Sequence, residues 1–149
     1  MPVGEICNRD VIIIDKNATV EEAARLMRTH HVGALVVTEQ RAGVPVPAGL
    51  LTDRDIVIEV IAEDVAPGTV LVGDIMSRDL LTALEQDGIW ETMQRMRIKG
   101  VRRVPVVNRH GGLEGLVSLD DLLELISEEL AQLAKLVSRE QAREANTRP

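Results

Sequence analysis

The sequence predicts an α/β (α+β) fold in which two tandem β-α-β-β-α repeats pack as a pseudo-two-fold pair. Three observations carry this. The segment VGEICNRDVIII beginning at Val3 returns as VGDIMSRDLLTA beginning at Val72, an offset of 69. That offset also carries Val20 onto Ile89, Met27 onto Met96, Val32 onto Val101 and Val37 onto Val106. Each copy holds only roughly 60 residues, too few to bury a comfortable core alone, so two copies packed face to face are expected.

In the first copy VIII, ending at Ile14, is a short apolar strand. Thr19-Val20-Glu21-Glu22 has the form of a capping box, in which side chains satisfy the free amides of a helix start. Val20, Ala23, Ala24 and Met27 then share one helical face. ALVVT and GLLT read as a hairpin across the loop QRAGVPVPAG, and a second helix is expected from Asp53 to about Ala62. AEDVAPGTVL, with Pro67-Gly68, reads as a linker.

The second copy repeats the order. Asp87 is the expected helix cap, Ile89, Met93 and Met96 the buried face, and VPVV and GLVS the hairpin around Asn108 to Gly112. Its last helix runs past its counterpart, with Leu122, Ile126, Leu130, Leu133 and Val137 at spacings of three and four, a stripe that wants a partner. The closing SREQAREANTRP is polar and expected to fray. The organisation is thus residues 3–62, a linker over 63–71, residues 72–127, and a helical extension over 128–149.

Composition narrows the function. Hydrophobic residues make up 45% and charged residues 28%, as in ordinary globular proteins. A net charge of -7 opposes nucleic-acid binding, and Trp90, with no Tyr or Phe, offers no base-stacking platform. The start MPVGEICNRD does not read as a signal peptide, and no apolar run approaches the ~20 residues of a membrane span. A cytoplasmic protein with no membrane contact is expected. A single cysteine, Cys7, excludes an internal disulfide.

The ends of the copies carry the chemistry. GLLTDRDI from Gly49 aligns with GLVSLDDL from Gly115 at an offset of 66. Thr52 with Asp55, and Ser118 with Asp121, can each cap a helix. A helix start also receives phosphate, and a carboxylate on its first turn can accept both hydroxyls of a ribose. The two roles are compatible.

With the duplicated strand, helix and hairpin, and with GVRRVPVV in the second copy, these motifs resemble the CBS-domain family over residues 3–127. The resemblance implies a Bateman module, in which each cleft takes its Thr/Ser and Asp from one repeat and its strand entries from the other. One site would then combine Thr52 and Asp55 with Leu81, Val101, Arg102 and Arg103. The other would combine Ser118 and Asp121 with Ile12, Val32, Gly33 and Ala34. Asp55 and Asp121 would hold ribose, and aliphatic and backbone groups would hold adenine. Arg102 and Arg103 align with Gly33 and Ala34, so the Asp55 site gains two phosphate-binding cations, with Arg54 as a third candidate.

The ligand implied is AMP, ADP, ATP or a related adenosyl compound, in a regulatory homodimer that requires no cofactor. A ligand-independent dimeric scaffold or stress-response protein is the alternative. His30 and His31 lack a neighbouring ligand set and read as surface residues rather than a metal site. Cys7 reads as an inert half-buried thiol, and Trp90 as core or dimer packing. No nucleophile and base pair, Walker motif or GxGxxG pattern accompanies the carboxylates, so no enzyme is expected.

Overall fold

The computed structural model describes residues 1–148. It divides into a body, Met1–Val117, and a C-terminal unit beginning at Ser118. The body holds two three-stranded sheets. In the first, β1 (Ile13–Asp15) pairs parallel with β2 (Ala34–Arg41), which pairs antiparallel with β3 (Val44–Thr52). Between the parallel strands runs α1 (Val20–His30), the crossover that parallel pairing requires. The expected capping box is present: Glu22 N donates to Thr19 Oγ1 at 3.2 Å and Thr19 N to Glu22 Oε2 at 3.0 Å. Val20, Ala23 and Met27 are buried, whereas Ala24 is exposed, so the buried face is narrower than its apolar spacing.

The hairpin is longer than expected. Most of QRAGVPVPAG is strand, and the reversal is confined to Ala42 and Gly43, both with positive φ, at 52° and 78°. Two such residues give the tight turn whose twist matches that of paired strands. A register shift between Val37 and Thr38 absorbs the odd residue. Pro45 and Pro47 are accommodated because β3 lies at the sheet edge.

From Thr52 the chain enters α2 (Asp53–Ile56) and widens into a π-turn over Val57–Ile61, where Ala62 N donates to Val57 O at 2.9 Å. The expected helix thus covers the right span but is not α-helical throughout. Buried Ile56 and Val60 hold it to the core, while Val57, Ile58 and Ile61 are exposed.

The second half repeats this with α3 (Val72–Ile75), β4 (Ala83–Leu84), α4 (Ile89–Lys99), β5 (Arg103–Val107) and β6 (Leu113–Ser118). Asp87 is not the cap of α4. Gly88 is, and Asp87 Oδ2 instead accepts from Leu84 N at 2.9 Å and pairs with Arg95 at 3.3 Å. Buried on α4 are Ile89, Thr92 and Met96, with Met93 only half-buried. Thr92 fits the core because its hydroxyl donates to Gly88 O at 2.8 Å. Trp90 is 63% exposed, which removes the core reading.

The C-terminal unit is one helix, α5 (Leu119–Thr147), unbroken over 29 residues. Of the stretch expected to fray, residues 138–147 are helical, consistent with their Ala, Arg, Glu and Gln content, and Pro149 lies outside the described residues.

The copies exchange their leading segments. Val3 N and Gly4 N donate to Asp87 O and Glu85 O at 2.8 and 3.0 Å, and the equivalent Val72 N and Gly73 N donate to Ala18 O and Lys16 O, both at 2.8 Å. Further on, Ser77 bridges Leu50 at the edge of the first sheet, and Asn8 bridges Leu116 in the second copy. Buried Val72 and Met76 consequently belong to the first copy's core, beside Leu35, Val37 and Leu51. Arg9 and Arg78 reinforce the crossings identically, their guanidinium groups donating to Gly4 O and Gly73 O at 3.0 and 2.6 Å.

The crossings need glycine. A β-carbon at Gly49 would lie 2.6 Å from both Met76 Sδ and Ser77 O, and one at Gly115 would lie 2.6 Å from Cys7 Sγ and 2.9 Å from Asn8 O. Gly49→Ala and Gly115→Ala are each expected to cost about 1–3 kcal/mol in urea unfolding, the usual range for overpacking. The Gly49→Ala loss should persist in a Met76→Ala background, since the Ser77 carbonyl remains. A neutral Gly49→Ala would show that the crossing tolerates a side chain.

Candidate functional site

The β3–α2 junction sets the first candidate site. Thr52 ends the strand in extended conformation and caps the helix: Asp55 N donates to Thr52 Oγ1 at 3.2 Å, and Thr52 N donates to Asp55 Oδ2 at 2.8 Å. Ser118 and Asp121 repeat this at the start of α5, with 3.2 Å for Asp121 N to Ser118 Oγ and 2.9 Å for Ser118 N to Asp121 Oδ2. All four residues are half-buried. In both boxes the carboxylate spends one oxygen on the cap. Among the described residues, Oδ1 of Asp55 and Oδ1 of Asp121 have no hydrogen-bond partner in the protein.

Several other predicted residues gather around Thr52. Ala34 pairs with it across the β2–β3 ladder, and Gly33 O accepts from Asp53 N at 2.9 Å. Ile12 O accepts from Val36 N at 3.2 Å, which brings the entry of β1 to the same sheet. Gly33 and Ala34, assigned by resemblance to the second site, therefore border Thr52 through their own sheet, whereas Ile12 lies across β2 from it. Val32, half-buried, closes α1 by donating its N–H to Met27 O at 3.1 Å.

Leu81 follows the exchanged segment, four residues beyond Ser77, which bridges Leu50 two residues before Thr52. Val101 and Arg102 precede β5, which starts at Arg103. Val101, Leu81 and Arg103 are half-buried, Arg102 and Arg54 exposed. Among the described residues none of these three arginines forms an ion pair, in contrast to Arg95 and Lys99, which are paired with Asp87 and Asp79. Ser118 and Asp121 lie in the C-terminal unit.

One side chain of this junction stands outside the expected ligand-binding set. Asp53 lies against Gly33, whose β-carbon would stand 3.1 Å from its Oδ2, and its Oδ1 accepts from Arg54 N at 2.8 Å. The signal was available, because an acid immediately after a capping Thr sits where the first-turn amides converge.

His30 ends α1 and His31 caps it with φ of 54°, the left-handed conformation that Gly100 supplies at the same place in the second copy. Both histidines are exposed. Among the described residues no cluster of His, Cys, Asp and Glu could hold a metal ion, and no helix is long and apolar enough to cross a membrane. Burial pushes the Cys7 thiol above its ordinary pKa, although the neighbouring Arg9 acts the other way.

A family model described as the CBS domain matches residues 3–62 and again residues 72–128. The chain belongs to the CBS domain family. It is 37% identical over 123 residues to the uncharacterized protein MK0525 of Methanopyrus kandleri, covering 83% of this chain but only 61% of that protein. It is 31% identical over 134 residues to hypoxic response protein 1 of Mycobacterium tuberculosis, covering 89% of this chain and 91% of that one. A crystal structure of Hypoxic Response Protein I with two coordinated zinc ions has a TM-score of 0.72 at 31% identity, over 83% of this chain and 98% of that chain. The CBS domain pair of protein MJ0100, in complex with 5-methylthioadenosine and S-adenosyl-L-methionine, has a TM-score of 0.73 at 22% identity, over 87% of this chain and 98% of that one, a likeness of fold.

Two outcomes follow from the local geometry. Thr52→Ala and Ser118→Ala should each lower stability by about 1 kcal/mol, the worth of a side-chain cap, measured by thermal or urea unfolding. Cys7 should react with a colourimetric disulfide reagent near pH 8 more slowly than an unperturbed thiol, because its raised pKa and partial burial reduce accessible thiolate. Full-speed reaction in the folded protein would contradict that burial.

Proposed function

We propose that this protein is a regulatory module that binds an adenine nucleotide, AMP, ADP or ATP, or a related adenosyl compound, and acts by binding rather than catalysis. The observation that carries the proposal is the pair of capped hydroxyl–carboxylate corners, each keeping a carboxylate oxygen free for a ribose hydroxyl. At the Asp55 corner, Asp55 grips the ribose and unpaired Arg102, Arg103 and Arg54 serve as phosphate partners, while Leu81, Val101 and the backbone of β5 enclose the base. The bound adenosyl compounds of the MJ0100 pair support the ligand class.

The same reading includes a homodimer in the cytoplasm. The apolar surface of Val57, Ile58 and Ile61 on the body, each more than two-fifths exposed, supports association of two copies. A ligand shifts such an assembly only by preferring one arrangement of it, and that preference would be the signal passed to a regulated protein.

Calorimetry with adenosine, AMP, ADP and ATP tests the proposal. Saturable binding is expected, with Asp55→Ala weakening it more than tenfold, as loss of a charge-assisted hydrogen bond of about 1.5–3 kcal/mol requires. Asp55→Asn, which keeps an oxygen for the Thr52 amide, separates loss of grip from loss of the helix cap. Arg102→Ala and Arg103→Ala should weaken ATP more than adenosine. Heat signals absent across the panel would overturn the sensor reading and leave the dimeric scaffold.

A further inference from the structure

The C-terminal helix carries a seam that its own unit leaves open. Along α5, Leu119, Leu123, Ile126, Leu130, Leu133 and Val137 follow one another at spacings of four, three, four, three and four. That is the heptad spacing by which helices pack side by side, knobs into holes. Leu123, Leu130, Leu133 and Val137 are 54%, 61%, 59% and 54% exposed. The seam stops at Glu140 and Glu144, where the next two heptad positions turn acidic.

Charge selects both the occupant and its direction. From Leu119 to Ala134 the helix carries Asp120, Asp121, Glu124, Glu128 and Glu129 and no Lys or Arg. From Lys135 onward it carries Lys135, Arg139 and Arg143 against Glu140 and Glu144, with Arg148 just past its end. A parallel copy would lay acidic half beside acidic half. An antiparallel copy lays each acidic half beside a basic one, the complementary arrangement.

One antiparallel register satisfies seam and charge together. Setting Leu130 opposite Leu133 also sets Ile126 opposite Val137, so every layer between those positions is apolar on both sides. Asp120 then comes level with Arg143, Glu124 with Arg139, and Glu128 with Lys135. Ser127 and Ala134 border one side of the seam and are small enough for the helices to approach closely, while the stem of Glu129 can cover Leu136 on the other.

We infer that α5 is an interaction surface for a second copy of itself, the two helices pairing antiparallel about an axis between Ala131 and Gln132. This pairing is independent of nucleotide binding.

Pulsed electron-spin measurements on the full chain test it, with one nitroxide per chain at Ala131→Cys or at Ala142→Cys in a Cys7→Ser background. Antiparallel pairing puts the two labels at position 131 almost level, but separates those at position 142 by about 30 Å along the axis at 1.5 Å per residue. The label-to-label distance at position 142 should therefore exceed that at position 131 by more than about 15 Å. The short distance should vanish in Leu130→Glu/Leu133→Glu, with adenine-nucleotide binding unchanged. Equal distances at both positions would mean parallel pairing and overturn the inference. A distance at position 131 that survives the double substitution would place the contact elsewhere and overturn it equally.

Discussion

Everything in the body depends on two places where a backbone passes too close to a strand for any side chain to intervene. At Gly49 the segment carrying Met76 and Ser77 lies on β3, and at Gly115 the segment carrying Cys7 and Asn8 lies on β6. These approaches let each copy donate its opening turn to the other's sheet and complete a core that neither copy contains in its own sequence. Met76 and Cys7 occupy equivalent positions because both lie over the glycine of the opposite copy. The glycine that opens each GLLT or GLVS motif is thus explained by packing, three residues before the hydroxyl that shapes the site.

Local chemistry was legible in the sequence where one segment decides its own conformation. The Thr19 box and the two boxes at Thr52 and Ser118 could be read because each is settled by residues three apart, and the duplication because it returns at a fixed offset. The departures have the opposite character. Asp87 looked like a cap, but Gly88 occupies that position, and the acid turns back to the Leu84 amide and to Arg95. Thr92, outside the expected face of Ile89, Met93 and Met96, is buried because its hydroxyl donates to the carbonyl of the capping Gly88 four residues earlier. The π-turn over Val57–Ile61 has no distinctive composition. The exchange of leading segments joins residues far apart along the chain, which periodicity cannot reveal.

The candidate site divides in the same way. Asp55, Thr52, Ser118 and Asp121 could be found from spacing alone, since a capping box is a local pattern. The proximity of Gly33 to Asp53 depends on how β2 and β3 align, and that alignment is set by a register shift and a two-residue turn hidden in a Pro-rich stretch. The asymmetry between the corners was visible in composition, as arginines in one copy stand where glycine and alanine stand in the other.

The reciprocal exchange also bears on how the body comes apart. Cutting the backbone near Pro67-Gly68 would not yield two autonomous halves, because each fragment would carry a strap belonging to its sibling and lack the one that seals its own interior. Melting of either half strips a wall from the other, so the two should lose structure together.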